Sequence, residues 1–419
     1  MTRKIVSTVF ILVIMCGTLK AQEDGMLLLL IQPSAQINGT GCASVAFPTR
    51  DPLSSTSNPA HLGIQSFSSR ISTGYNSTKW LTAVKTDIEY NSFAINAGVD
   101  MRDINLDYLP ISAGFGYSRL MLSYGDFVRT GPDSPEPIGT FEAYDESQQF
   151  TFSTALDYYI KLSAGITYKN VTSHYSSEVS NSLYDIGVLV DVPVIWMYEK
   201  MSYSEINFNG IKPRLNFGFG AVRSNLGSDS MKYSGELTAS EDGGVSYGRS
   251  PRYARMGVSF SAGFDYICNK ATLRPVLFSW SVESNEELSI KSDSLRNYKS
   301  GFGGIRLFND LILGRSNAST ENQKGWELNL FEILSISGGK FKEDYYSSDT
   351  YTTSGFAISS EGIGKLLKVM DGSIVSDNTA GYLIDKLSFE FKYSTLKAKS
   401  GSSLNGTKYY GFNLYWKMF

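Results

Sequence analysis

The sequence predicts an all-β protein, a transmembrane antiparallel β-barrel, on three observations. Apolar residues recur at period two in segment after segment. An export head is followed by no apolar run of the roughly 20 residues that a spanning helix needs. The composition is that of strands and aromatic girdles: of 419 residues, 13% are aromatic, 39 are Gly and 19% are charged, against about a quarter charged in a typical soluble domain. The same numbers exclude several classes. A formal net charge of −3 gives no electrostatic basis for phosphate-driven binding, so nucleic acid is not an expected partner. Two His and three Cys are too few for a zinc centre, an iron–sulfur protein or a disulfide scaffold, and neither metal nor cofactor is expected.

The chain opens with a basic head, Thr2-Arg3-Lys4, an apolar stretch Ile5 to Met15, and a cleavage point at Ala21-Gln22. Residues 1–21 read as a signal peptide. Cys16 follows the bulky Met15 and reads as an ordinary residue of that head rather than a lipid attachment site.

The strands follow in order. Phe150, Phe152 and Leu156 alternate with Gln149, Thr151 and Ser153. After Tyr158-Tyr159, the series Ile160, Leu162, Ala164, Ile166 and Tyr168 alternates with Lys161, Ser163, Gly165, Thr167 and Lys169, which predicts a hairpin. Tyr184, Ile186, Val188 and Val190 share one face, as do Leu215, Phe217 and Phe219, and then Met256, Val258, Phe260 and Ala262. Leu387, Phe389, Phe391 and Tyr393 oppose Ser388, Glu390 and Lys392; the last strand puts Tyr410, Phe412, Leu414, Trp416 and Met418 together. A soluble sandwich also alternates, but its outer face usually carries many charges. Here the second face is Gly, Ser, Thr and Asn with scattered Lys and Glu, which suits a crowded or water-filled lumen. Tyr and Trp at strand ends suit interfacial girdles.

The links predict short turns at Tyr158-Tyr159 and Phe308-Asn309-Asp310, and long solvated loops at Thr130–Ser147, Ser224–Arg252 and Ser281–Lys299. Glu361–Met370 predicts a short amphipathic helix beside a barrel mouth, through Ile363, Leu366, Leu367 and Met370. The chain end, Tyr409, Gly411, Leu414, Trp416 and the terminal Phe419, has the pattern of a signal for the barrel assembly machinery, with Phe419 in the opposite phase to Leu414 and Trp416. The expected location is the cell outer membrane, with membrane lipid and lipopolysaccharide as surroundings. Catalysis has little support: His61 and His174 are the sole histidines, and neither stands in a nucleophile–base motif. No catalytic residue is expected. Cys42 and Cys268 could pair in an exported protein, but spacing does not place them within reach.

The stretch Met26 to Ala46, followed by Asp51 and by Ser57-Asn58-Pro59-Ala60-His61-Leu62-Gly63, resembles the start of the PorV/PorQ proteins, relatives of FadL-type channels in Bacteroidetes-type outer membranes. Shorter echoes lie at Tyr184 to Val188, Ser224 to Gly227, Pro251 to Gly257 and Trp326 to Gly339; Ile37, Asn38 and Cys42 depart from the family's Ala/Gly/Met-rich pattern. The resemblance implies a barrel of about fourteen strands over residues 65–419, within the range such barrels span, and an N-terminal segment, residues 22–64, plugging the lumen. In that reading Asn58, Pro59 and Ala60 form the plug turn: Asn serves local backbone groups, Pro fixes φ and Ala permits close approach. Read without the resemblance, the same residues are an ordinary turn into the first strand. The function implied is non-enzymatic: a component of type IX secretion or another surface machine that docks partner proteins, with a FadL-like channel for small hydrophobic molecules as the alternative.

Overall fold

The computed structural model describes residues 26–419 except 83–87, 107, 132–133, 175–177, 229, 234–245, 269–270, 290–297, 317–318, 343–349, 371–378, 399–401 and 403. The export head therefore lies outside the described residues.

Fourteen antiparallel strands close into a barrel. In chain order they are β1 (Arg70–Lys79), β2 (Glu89–Asp100), β3 (Ile111–Gly131), β4 (Ser134–Asp157), β5 (Lys161–His174), β6 (Glu178–Pro193), β7 (Ile211–Gly227), β10 (Tyr253–Cys268), β11 (Ala271–Glu287), β12 (Glu321–Leu330), β13 (Leu334–Lys342), β14 (Thr350–Ser359), β15 (Leu387–Lys397) and β16 (Lys408–Lys417). The connection between β7 and β10 carries a small hairpin of its own, β8 (Ser230–Tyr233) and β9 (Ser246–Arg249). Neighbours in sequence are neighbours in the wall, and the seam joins β1 to β16, from Arg70 opposite Lys417 to Thr78 opposite Tyr409. Closure leaves no unpaired edge, the condition for a β-structure to survive in hydrocarbon.

Which face points out is plain from burial. On β2, Phe93 and Ile95 are exposed while Ser92, Ala94 and Asn96 are buried. On β4, Phe150 and Phe152 are exposed while Gln149, Thr151 and Ser153 are buried; on β16, Tyr410, Phe412 and Trp416 are exposed while Tyr409, Gly411 and Asn413 are buried. Apolar outside and polar inside is the inverse of a water-soluble fold, and it is the alternation of a barrel wall set in lipid.

The barrel ends differ. The end that holds the start of β1 and the close of β16 also carries the tight turns at 158–160 and 331–333, plus two helical connections, one with α3 (Val194–Ser202) and one with α4 (Glu361–Met370) and α5 (Thr379–Lys386). The opposite end carries the long connections 228–252 and 288–320. Short turns face the periplasm and longer loops the exterior in such barrels, which orients the molecule. The helix predicted at Glu361–Met370 is α4.

Four link expectations are corrected. Thr130–Ser147 is not a loop: β3 and β4 run 21 and 24 residues and their outer parts pair as a hairpin beyond the membrane, Phe127 opposite Phe141. Phe308-Asn309-Asp310 is not a short turn; it lies in a π-helical turn, Leu307–Ile312, inside a long connection. Ser281–Lys299 is strand as far as Glu287, and Ser224–Gly227 belongs to β7.

Candidate functional site: the filled lumen

The chain before β1 forms a 3₁₀ turn (Leu27–Leu30), α1 (Ala35–Gly39), a second 3₁₀ turn (Pro52–Thr56) and α2 (Ala60–Ser66). Each starts for a local reason. Ser34 accepts the Ile37 N–H and caps α1; Asp51 accepts the Leu53 N–H with Pro52 at the first helical position. Pro59, at φ −52, leads into α2.

This segment touches the inner face of the wall on opposite sides, which places it within the ring. On one side Ser92 Oγ donates to the Pro33 carbonyl (3.1 Å), Ser112 Oγ to Gly63 (2.7 Å) and Ser163 Oγ to Ala60 (2.7 Å). On the other, Gln36 Nε2 donates to Glu327 (2.9 Å) and Gly41 N–H to Thr353 Oγ1 (3.0 Å). Inward glycines make the close approach possible. A Cβ on Gly165 would sit 2.6 Å from the Pro59 carbonyl carbon, and one on Gly41 2.6 Å from the Lys340 nitrogen; Gly41 has φ +65, a backbone state other residues rarely adopt.

Asn58, Pro59 and Ala60 stand where this segment meets β5 and β6. Asn58 Nδ2 donates to the carbonyls of Val45 (2.9 Å) and Val188 (3.1 Å), and its Oδ1 accepts the Ala60 N–H (3.1 Å). One side chain thus ties the segment to itself and to the wall. The chain-end residues divide: Tyr409 and Gly411 face inward and meet the lumen, Leu414 and Trp416 face outward, and Phe419 lies beyond the last strand, exposed. Gly411 lies against Asn76 and Ala35.

Two zones share the lumen. The first is polar and charged. Lys392 of β15 reaches Asp51 (3.1 Å), Glu390 (3.1 Å) and Gln36 Oε1 (2.9 Å), and Asp51 also accepts Ser34 Oγ (2.6 Å). Glu283 of β11 accepts the backbone N–H groups of Ser44 (2.6 Å) and Val45 (2.8 Å), while Arg255 donates to the Ser57 carbonyl (2.7 Å). His61 Nε2 lies 2.8 Å from the Ser44 carbonyl and donates to it. Burial lowers the His61 pKa to about 4, only partly opposed by that bond, so the ring is neutral. At the periplasmic mouth Arg50 bridges Glu361 of α4 and Glu332 (3.4 Å), and Lys365 holds the same two carboxylates. Burial pushes Glu361 up, but Arg50 and Lys365 outweigh it and hold the carboxyl well below the usual range.

The second zone is apolar and lies toward the exterior. Leu28, Ile31 and Leu53 of the interior segment pack among Trp80, Tyr90, Leu120, Leu122, Phe341, Tyr351, Leu396 and Tyr409 from the wall and the links above it. Phe341 and Tyr351 stack at 5.0 Å. Met26 adds a second patch with Val171 and Leu183. Below, beside α2, a cavity of about 10 Å³ lined by Leu62, Ser66, Arg70 and Asn96 is at the size of a single water.

The remaining candidates are structural. His174 stacks on Tyr144 at 5.2 Å. Cys42 and Cys268 form no disulfide; Cys42 Sγ donates weakly to Asn38 Oδ1 (3.5 Å). Among the described residues no group of three His, Cys, Asp or Glu is placed to hold a metal. The sequence reading missed the anchors Gln36, Arg255, Glu283, Glu327 and Lys392. The signal for the last three was a charge in the Gly/Ser phase of a strand, which needs a partner inside the lumen.

No family model matches the chain, and no curated protein does. Among solved structures it is similar to a Pseudomonas aeruginosa FadL homologue at 11% identity, covering 92% of this chain and 98% of that one, TM-score 0.42. It is also similar to the Pseudomonas putida toluene transporter TodX at 9% identity, covering 95% and 100%, TM-score 0.38. A third is the Ralstonia pickettii toluene transporter TbuX at 10% identity, covering 93% and 99%, TM-score 0.35. On its own geometry, the chain is a closed fourteen-stranded antiparallel β-barrel with an apolar outer wall and a lumen occupied by residues of its N-terminal segment.

Proposed function

We propose that the protein is a gated outer-membrane passage for small hydrophobic molecules, closed in the state described. One observation carries this reading: toward the exterior end of the lumen, Leu28 and Ile31 of the interior segment fill an apolar cluster walled by aromatic and leucine side chains of the barrel. Displacing those two side chains would leave a space with mostly apolar walls near a few polar groups, the usual form of a small-molecule site. The test is entry of a monoaromatic hydrocarbon into vesicles carrying the full-length protein. Leu28→Ser with Ile31→Ser loosens that cluster, and hydrocarbon entry then rises severalfold over the wild type. Unchanged entry, with the barrel intact, removes the reading.

The docking reading that accompanies the PorV/PorQ resemblance has one observation in its favour. The periplasmic rim at α3 leaves Trp196, Tyr198, Met201 and Tyr203 exposed, an apolar group of the kind that marks interaction sites. Co-purification of secretion-machine proteins, lost on Tyr198→Ser with Met201→Ser, would establish it and displace the passage reading if hydrocarbon entry proved absent.

A further inference from the structure

The connection from β11 to β12 does not stand away from the barrel at its exterior end. Part of it folds back over the outside of the wall. Val282 is in the outward phase of β11, in line with Trp280, yet it is only 1% exposed. Glu286, four residues further along the same phase, accepts Lys299 Nζ (2.6 Å) and the Gly304 N–H (2.5 Å). The clamped connection then turns its π-helical residues sideways, with Leu307, Phe308 and Ile312 each more than half exposed at 55%, 66% and 61%. On the wall itself Trp280 and Trp326 stand opposite each other on β11 and β12 and are likewise exposed.

Immediately beyond Trp326, in the same outward phase, lies Lys324, and directly across from it on β13 lies Lys340. Trp326 itself lies flat over Gly338, where a Cβ would sit 3.0 Å from its ring. Two like charges directly opposed on one face of a sheet are unfavourable. Among the described residues neither lysine has a carboxylate partner; Lys324 Nζ donates to the Gly314 carbonyl (2.7 Å) and Lys340 is exposed. Arg315, next to Gly314, is exposed too. Cations one register step from exposed aromatic side chains, toward the end of the long connections, match an amphiphile with phosphate at its head and acyl chains below.

We propose that this part of the outer wall binds the phosphorylated headgroup of an outer-leaflet glycolipid. Lys324 and Lys340 hold the phosphate. Acyl chains lie along Trp326, Leu328 and Ile336, and the π-helical turn covers them from the side. The site is built on the outer wall and does not depend on what passes through the lumen.

The test uses the full-length protein in mild detergent with three probes: a bis-phosphorylated, multiply acylated glucosamine disaccharide, its dephosphorylated form, and inorganic phosphate. Native mass spectrometry reads bound lipid. The phosphorylated lipid is retained by the wild type and by Lys408→Gln, which removes an outward lysine elsewhere at the same end. Lys324→Gln with Lys340→Gln reduces binding at least about tenfold, as expected for two cations near a lipid surface. Leu307→Ser with Phe308→Ser weakens it as well. If the double lysine variant fails to fold, Lys340→Gln alone carries the test, since that side chain holds nothing else in place. Equal binding of the dephosphorylated lipid, displacement of the lipid by equimolar inorganic phosphate, or full binding by the folded lysine variants would each overturn the proposal.

Discussion

The two zones of the lumen hold the same segment in different ways. In the polar zone each contact has a direction and a specific partner: Asp51 with Lys392, Glu283 with the Ser44 and Val45 amides, Asn58 with Val188. In the apolar zone Leu28 and Ile31 are held by area alone. Directional contacts fail as a unit when one member is removed, because the partner is left buried and unsatisfied. Nondirectional contacts accept any occupant of similar size and polarity. The lumen therefore holds one segment by two means, directional anchors along its length and an apolar cluster toward the exterior, and the proposed passage would open at the second.

The largest expected effect comes from Lys392→Met. It keeps the volume but leaves the Asp51 carboxylate, 0% exposed, without its cation. Breaking a buried pair in this way costs about 3–5 kcal/mol, read as a fall in the urea midpoint of the detergent-folded barrel. A loss below about 1 kcal/mol would mean that the polar zone is wet and the anchor is not rigid.

Leu28→Ala should cost about 3 kcal/mol, the range for a buried leucine that leaves a cavity. The sharper expectation is rescue. A saturating small hydrocarbon restores much of the lost stability in Leu28→Ala and none in Lys392→Met. Equal responses of the two variants would erase the distinction between the zones.

The third expectation is a pH dependence. His61 binds its proton near 6.5 when unfolded and only near 4 in the folded chain. Between those values the unfolded state binds more protons, so stability rises with pH and falls as acid is added. The loss is about 1.4 kcal/mol per pH unit across that window. His61→Gln keeps a donor for the Ser44 carbonyl and removes the titration. Its urea midpoint should fall less steeply than that of the wild type from pH 7 to pH 4. Parallel curves would show that the histidine is solvated.

The wall was legible because its two surroundings differ: Phe150 and Phe152 meet lipid while Thr151 and Ser153 meet polar backbone, and period two records that directly. The outer parts of β3 and β4 were not legible, since beyond the membrane both faces meet water and Phe127 to Glu142 carries no such alternation. The turn read at Phe308 to Asp310 failed for another reason: Asn and Asp between apolar residues have a turn's composition, and nothing local reveals that the connection is clamped through Glu286. Within the site, Asn58 to Ala60 was visible because Asn-Pro is a strong local signal. Lys392 was seen only as a strand residue, because its partner Asp51 lies 341 positions away, a separation no local pattern encodes.

That separation has a consequence for assembly order. Gln36 is bonded to Glu327 across 291 residues, and Lys392 to Asp51 across 341. Contacts so distant in sequence form slowly, since loop closure must precede them. Arg50 is bridged to α4 across the periplasmic mouth, so a finished ring offers no ready path for late entry of the segment. An order that avoids late entry has the growing sheet curl around the segment, with pairing of β1 and β16 last. The segment is then the mandrel on which the cylinder is rolled, and a chain lacking it would be slow to close, whatever it later transports.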